Sequence, residues 1–182
     1  FMQNYYIPAS SGGVKMKILQ ALNAVLDGKT AIFVCIGTDA VTGDSLGPLV
    51  GTMLRQKLGG RTYVFGSLDK PVTARDVNVI SKFVKRAYPY EKTVAIDAAL
   101  GRREEIGGIK ISDRPVKPGL GVEKDLAEIG DASIIAVVDE KTSPKASLSS
   151  VRLSLVYSLA EAISEAVKEY FDKLSMPAVN CR

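Results

Sequence analysis

The sequence predicts an α/β domain: a three-layer α/β/α sandwich around a mostly parallel central sheet. Three observations predict it. Apolar runs rich in β-branched residues recur at Ala31–Ile36, Lys92–Ala99 and Ser133–Val138, and such runs read as strands buried on both faces. Stretches of helical periodicity alternate with them. The first run passes into a helix through a short polar loop, Gly37–Gly43, with glycine at each end.

Each element has its own justification. Residues 1–13 read as a flexible N-terminal arm, 14–173 as a single α/β domain and 174–182 as a C-terminal tail. Val14, Ile18, Leu22, Val25 and Leu26 mark an amphipathic helix that Gly28 ends. After the Ala31–Ile36 strand, Asp44-Ser45-Leu46-Gly47-Pro48 reads as a helix start, because Pro48 suits a first turn where a missing N–H costs little. Leu46, Leu49, Val50, Met53, Leu54 and Leu58 follow at helical spacing, and Gly59-Gly60 stops the helix.

Arg61–Ser67 reads as a second strand, followed by turn chemistry at Asp69-Lys70-Pro71. Thr73 is placed to cap a helix, with Asp76 three residues on. Val77, Ile80, Phe83 and Val84 form its inward face, and Tyr88-Pro89 ends it. Lys92–Ala99 is a third buried strand, carrying Asp97 near its end. Gly107-Gly108 precedes a short strand, Ile109–Ser112. A Gly/Pro loop, Arg114–Lys124, leads toward the Ser133–Val138 strand. Residues 139–148 form a polar connection to a long helix from about Ser149 to Lys173, with Leu155, Leu159, Ile163 and Val167 on one face.

Composition narrows the function classes. A chain of 182 residues, 46% hydrophobic and 24% charged, can bury one sizeable core. Its net charge of +4 is spread among interspersed acids, which argues against a nucleic-acid stripe. No apolar run is long enough to span a bilayer. The opening FMQNYYIPASSGG lacks the basic start and apolar core of a signal peptide. Cys35 and Cys181 are the two cysteines, a pattern that suits a reducing, cytoplasmic compartment better than a disulfide framework. There is no histidine. A Ser-His-Asp triad, a Cys-His dyad and a His-ligated metal site are therefore excluded within the chain. No metal and no cofactor are expected. The glycine-rich loops match neither the P-loop nor the dinucleotide fingerprint.

Chemistry gathers at the ends of strands, where open α/β sheets bind ligands. Asp44 has two readings: an N-cap of the helix it precedes, or a catalytic carboxylate. Asp97 has two as well, a turn or cap carboxylate and a catalytic one. If the two strands are neighbours, both carboxyls lie at one edge of the sheet. A converging pair can share a proton, with one pKa raised and the other kept low. The ionised member can activate water and the protonated member can donate to a carbonyl oxygen. That suffices to hydrolyse a peptide without histidine, cysteine or metal. The helix start favours ionised Asp44, which assigns Asp44 as base and Asp97 as acid. Gly37, Thr38, Asp39 and Gly43 of the first loop are candidate substrate-binding residues. So are Lys117, Gly119 and Gly121, since glycines let backbone N–H groups approach a substrate closely. Lys117, Lys124, Arg102 and Arg103 read either as holders of an acidic group or as solvated surface. The loop around Gly119 reads equally as a plain connection.

The segments CIGTDAVTGDSLGPLVGT, IDAALGRRE, KPGLGVEKDLAEIGD and RLSLVYSLAEAI together resemble the YyaC-type sporulation proteins of spore-forming Firmicutes. The first three also resemble the germination protease, an atypical aspartic endopeptidase that degrades small spore proteins. Its two catalytic aspartates lie in segments similar to VTGDSLGP and IDA, which implies catalytic roles for Asp44 and Asp97. A more distant similarity, to hydrogenase-maturation endopeptidases, rests on the glycine-and-acid loop and implies their phosphorylase/hydrolase-like fold. That group grips nickel with a histidine and two acids, and this chain lacks the histidine.

The resemblance thus implies an aspartate-dependent peptidase of sporulation or germination. It would act in the cytoplasm of the forespore or mother cell, on a peptide or small spore-protein substrate, with no nucleic acid or membrane partner. A homo-oligomer is compatible with this reading. Two alternatives stand beside it: a non-catalytic protein that binds a peptide or partner at the same edge, and a small-molecule enzyme that uses the glycine loops for an anion.

Overall fold

The computed structural model describes residues 3–118, 128–141 and 148–175. In chain order the elements are β1 (Asn4–Ile7), α1 (Val14–Leu26), β2 (Ala31–Cys35), α2 (Leu46–Leu58), β3 (Val64–Phe65), α3 (Val77–Ala87), β4 (Lys92–Gly101), β5 (Ile109–Ser112), β6 (Ala132–Glu140) and α4 (Leu153–Ser175). The six strands form one sheet in the order β1-β5-β6-β4-β2-β3. The β2/β3, β2/β4 and β4/β6 pairs are parallel, whereas β5/β6 and β1/β5 are antiparallel. The sheet is therefore mixed: a parallel centre with an antiparallel flank.

Helices cover both faces. Phe33, Ile96 and Ile134 point to one side and join a core with Leu22, Leu54, Ile163 and Val167 from α1, α2 and α4. Ile32, Val34 and Ala95 point the other way and meet Val77 and Val84 of α3. The alternation follows from the period of two along each strand. It explains why the strands at residues 31–36 and 92–99 read as unbroken apolar runs. On the α3 side, α3 packs on β2, β3 and β4, and a cavity opens beside β4 and β6, lined by Asp97 and Ile135.

Several boundaries differ from the sequence reading: β4 runs on to Gly101, β6 spans Ala132–Glu140 and so takes in the start of the expected polar connection, and α4 begins at Leu153 rather than about Ser149. Asn4–Ile7, inside the stretch read as an arm, pairs with β5 in register Ile7↔Ile109. Of its four residues only Ile7 is buried, so its sequence carries almost no apolar pattern. The strand expected over 61–67 shortens to Val64–Phe65, because it is an edge and Gly66 (φ +88°) bends the chain away. Thr73 does not cap α3. Its N–H and hydroxyl both donate to the Asp76 carboxylate at 2.9 and 2.7 Å, which closes a turn before the helix begins at Val77.

Candidate active site

β2 and β4 run parallel side by side, with Cys35 opposite Ile96. The Ile36 N–H donates to the Ile96 carbonyl at 2.7 Å. Beyond this bond β2 ends, while β4 continues beside β6 to Gly101↔Glu140. Asp97 therefore sits on β4 just where its neighbour stops. The chain leaving β2 turns sharply back on itself. Gly37 has φ +141°, and a Cβ there would lie 2.0 Å from the Asp44 carbonyl oxygen. A Cβ on Gly47 would lie 2.0 Å from the Ile36 carbonyl oxygen. Only glycine at both positions lets the start of α2 sit on the end of β2. That contact brings Asp44, in a 3-10 turn over Gly43–Ser45, to the same edge as Asp97.

Asp44 is not spent on a cap. The α2 N-cap position is Ser45, no side chain caps it, and the Ser45 hydroxyl donates to the Thr42 carbonyl at 2.6 Å. Asp97 is buried at 6% exposure, and its Oδ1 accepts one hydrogen bond, from the Ala98 N–H at 2.9 Å. Asp44 and Asp97 line one cavity of about 270 Å³, with Lys117, Lys141, Ile135 and Leu148 among the other walls. Among the described residues neither aspartate forms an ion pair.

Burial pushes the Asp97 carboxyl up to about 8. The Asp44 charge adds to the shift, and the Ala98 N–H opposes it. Asp44 is also raised above the usual carboxylate range, by burial first, with the Thr38 N–H opposing. The expectation that the helix start would hold Asp44 low is thus corrected: loss of solvent outweighs the fixed dipoles. It is the Asp44 charge that helps hold the proton on Asp97.

The other predicted residues divide. Lys117 lines the cavity. Gly37, Thr38 and Gly43 build the turn beneath it, where the Thr38 N–H donates to the Asp44 carbonyl at 3.2 Å. Asp39 is exposed and does not line the cavity, since the Thr38 hydroxyl takes the Ala40 N–H and bends the loop outward. Gly119, Gly121 and Lys124 lie outside the described residues. Arg102 is engaged by Glu104 and Glu105, and Arg103 lines a neighbouring cavity instead. Lys141, which sequence reasoning did not single out, joins Lys117 in the wall. It falls in the polar connection at 139–148, where no spacing or motif marks one lysine from another. Its N–H donates to the Gly101 carbonyl at 2.8 Å, which fixes its place at the end of β6.

Among the described residues no three His, Cys, Asp or Glu side chains are grouped to hold a metal ion. No helix among them is long and apolar enough to cross a membrane.

The architecture places the chain in an α/β fold class that has a counterpart among solved structures. The crystal structure of the [NiFe] hydrogenase maturation protease HycI from Thermococcus kodakarensis KOD1 matches it with a TM-score of 0.56, over 83% of this chain and 98% of that one. The identity is 22%, so the likeness is one of fold. The particular family is shown by sequence. Residues 6–166 match the family described as protein of unknown function (DUF1256), and the chain belongs to it. It is 42% identical over 145 residues to the uncharacterized protein YyaC of Bacillus subtilis (strain 168), across 77% of this chain and 69% of that protein.

Proposed function

We propose that the chain is an aspartate-dependent peptidase, with Asp44 as general base and Asp97 as general acid. One observation carries this reading: two carboxyls distant in sequence line a single cavity, both with raised pKa and neither paired with a cation. Buried carboxylates are ordinarily hydrogen-bonded or ion-paired, because an uncompensated one destabilises the fold. Perturbed acids in a cleft are therefore candidates for chemistry.

The chemistry balances without a metal or cofactor. Ionised Asp44 takes a proton from a water molecule as its oxygen bonds to the peptide carbonyl carbon. Protonated Asp97 gives its proton to the carbonyl oxygen as the C=O double bond becomes single. The tetrahedral intermediate then collapses. The C–N bond breaks, the amine leaves with the proton held by Asp44, and the hydroxyl proton returns to Asp97. Lys117 and Lys141, on the cavity wall, are placed to hold the substrate. The resemblance of the segments around Asp44 and Asp97 to the germination protease supports the same two roles. With the similarity to the YyaC-type group, it supports work in sporulation or germination, in the cytoplasm of a developing spore.

The test uses an unfolded spore-protein substrate, with products read by mass spectrometry. Asp44→Asn and Asp97→Asn should each fold normally and lose about 10²–10⁴ of the turnover. Cleavage by both variants at the wild-type rate would refute the assignment.

A further inference from the structure

Away from the carboxylate cavity, the corner formed by β3 and α3 carries apolar surface that nothing in the fold uses. Four aromatic rings form a continuous chain there. Tyr63 lies tilted against Tyr88 with centroids 4.7 Å apart, Tyr88 meets Phe83 edge-on at 6.3 Å, and Phe83 meets Phe65 edge-on at 5.9 Å. Such a chain fixes its rings, yet Tyr63 is 58% and Phe83 49% exposed. Val79, one turn before Phe83, is 69% exposed.

α3 shows why this is a second face rather than a leaky first one. Val77, Ser81 and Val84 are its buried side. Val79, Lys82, Phe83 and Arg86 stand at i, i+3, i+4 and i+7, a single stripe on the outside. Two of the four are apolar and two are cations. Among the described residues neither Lys82 nor Arg86 forms an ion pair. α3 itself contains no acidic residue, and the carboxylate of Asp76 just before it is taken by Thr73.

We propose that this corner docks an acidic protein segment, whose apolar side chain seats against Val79 and Phe83 while its carboxylates meet Lys82 and Arg86. Charge selects the occupant. A second copy presenting the same stripe would set cation against cation, so self-association through this face is disfavoured. Aromatic and arginine side chains set side by side on an exposed face suit a protein interface. Nucleic acid has no use for an exposed valine, and bases need open ring faces, whereas Phe83 is wedged edge-on between two neighbours. A membrane helix keeps its cations to the flanks of an unbroken apolar face, whereas here they share the stripe. Strand addition at β3 is not the mode either. The Arg55 guanidinium already donates to the Val64 carbonyl at 3.1 and 3.2 Å.

The test titrates the full chain into a labelled synthetic helical peptide with leucine on one face and glutamate around it, read by fluorescence anisotropy. Saturable binding is expected. It should weaken at least about tenfold in Val79→Asp, and likewise in a Lys82→Glu/Arg86→Glu double variant. Phe83→Ala should weaken it too. Val79→Asp guards against misfolding, because Val79 takes no part in the ring chain. The same peptide with lysine for glutamate should not bind. Asp97→Asn should bind as the wild type does, which separates docking here from capture in the carboxylate cavity. Any one of four results would overturn the proposal: no binding up to about 1 mM, binding insensitive to the Val79 and Lys82/Arg86 changes, loss in Asp97→Asn, or tighter binding of oligothymidylate or phosphatidylserine vesicles that the same variants abolish.

Discussion

Asp97 and Glu105 are buried to nearly the same degree, at 6% and 8% exposure, yet their carboxyls are shifted in opposite directions. Asp97 is pushed up to about 8. Glu105 is held down at about 2, first by the Arg102 N–H, then by Lys110 and the Arg102 side chain. The bonds lie at 2.9 Å from the Arg102 N–H and 2.9 Å from the Lys110 Nζ. Asp97 has one backbone donor and, for a neighbouring charge, another carboxylate. Similar exposure does not fix the protonation state: burial first, and then the Asp44 charge, raise Asp97, whereas bonded partners overcome desolvation and hold Glu105 down. Glu105 ties the turn after β4 to β5, and Asp97 is left available.

The sheet itself keeps the two apart. Asp97 is in register with Ile135, and Ile135 with Lys110. Residues in register share a face, so one row runs carboxyl, isoleucine, ammonium across three strands. Neighbouring strands lie about 4.8 Å apart, which puts the cation's backbone about 10 Å from Asp97. The isoleucine acts as a spacer, and the sharpest way to break the contrast is to remove it. In Ile135→Lys, a cation would sit on the cavity wall beside Asp97. Its carboxyl should fall back toward the ordinary range, which NMR of carboxyl-labelled protein would follow. Turnover near neutral pH should then drop by about 10²-fold or more, since the proposed general acid would have lost its proton. An Asp97 that still titrates near 8 would show that burial alone governs it.

A smaller effect tests the cost of leaving Asp97 unpaired. A carboxyl that titrates near 8 when folded but near 3.8 when unfolded keeps its proton where the unfolded chain has lost it. Between those values the folded state binds more protons, so stability falls as pH rises. Asp97→Asn removes the penalty. Its Tm should exceed that of the wild type by about 4–8 °C above pH 8, for a gain on the order of 2 kcal/mol. The two should converge near pH 4. Calorimetry across that range is the measurement, and a variant less stable than wild type at high pH would contradict the assignment.

The contrast also separates what the sequence discloses from what it does not. Asp97 stands out because it lies near the end of an apolar run, where a charge is costly without a reason, and Asp44 because it opens a helix after the polar loop that follows another such run. Val64–Phe65 and Asn4–Ile7 were read poorly for the opposite cause. Edge strands bury one face or less, and the period of two has nothing to act on. Glu105 was silent because its partners Arg102 and Lys110 straddle a turn whose geometry no pattern encodes. Lys141 was silent because it is one cation among several in a polar connection. Long-range pairing of polar groups depends on register, and register between distant strands is not written locally. The antiparallel β5/β6 pairing is of that kind.

The mildest prediction concerns the paired acid. With Glu105 held near 2 when folded and titrating near 4.5 when unfolded, the unfolded chain binds the extra proton between those values. Its stabilising contribution is therefore complete above about 4.5 and is lost as pH falls toward 2. Glu105→Gln keeps the shape and removes the charge, leaving Lys110 without its carboxylate and Arg102 with Glu104 alone. Lys110 is partly open to water, so solvent screens much of the loss. The Tm should drop modestly at pH 7 and the gap to wild type should close as the solution is acidified to about pH 2. This is the reverse of the Asp97→Asn profile, which opens upward with pH. Two amide substitutions at equally buried acids, read in the same calorimeter, should thus give curves of opposite sign. If they ran parallel, the division between a bonded carboxylate and a free one would have no thermodynamic basis.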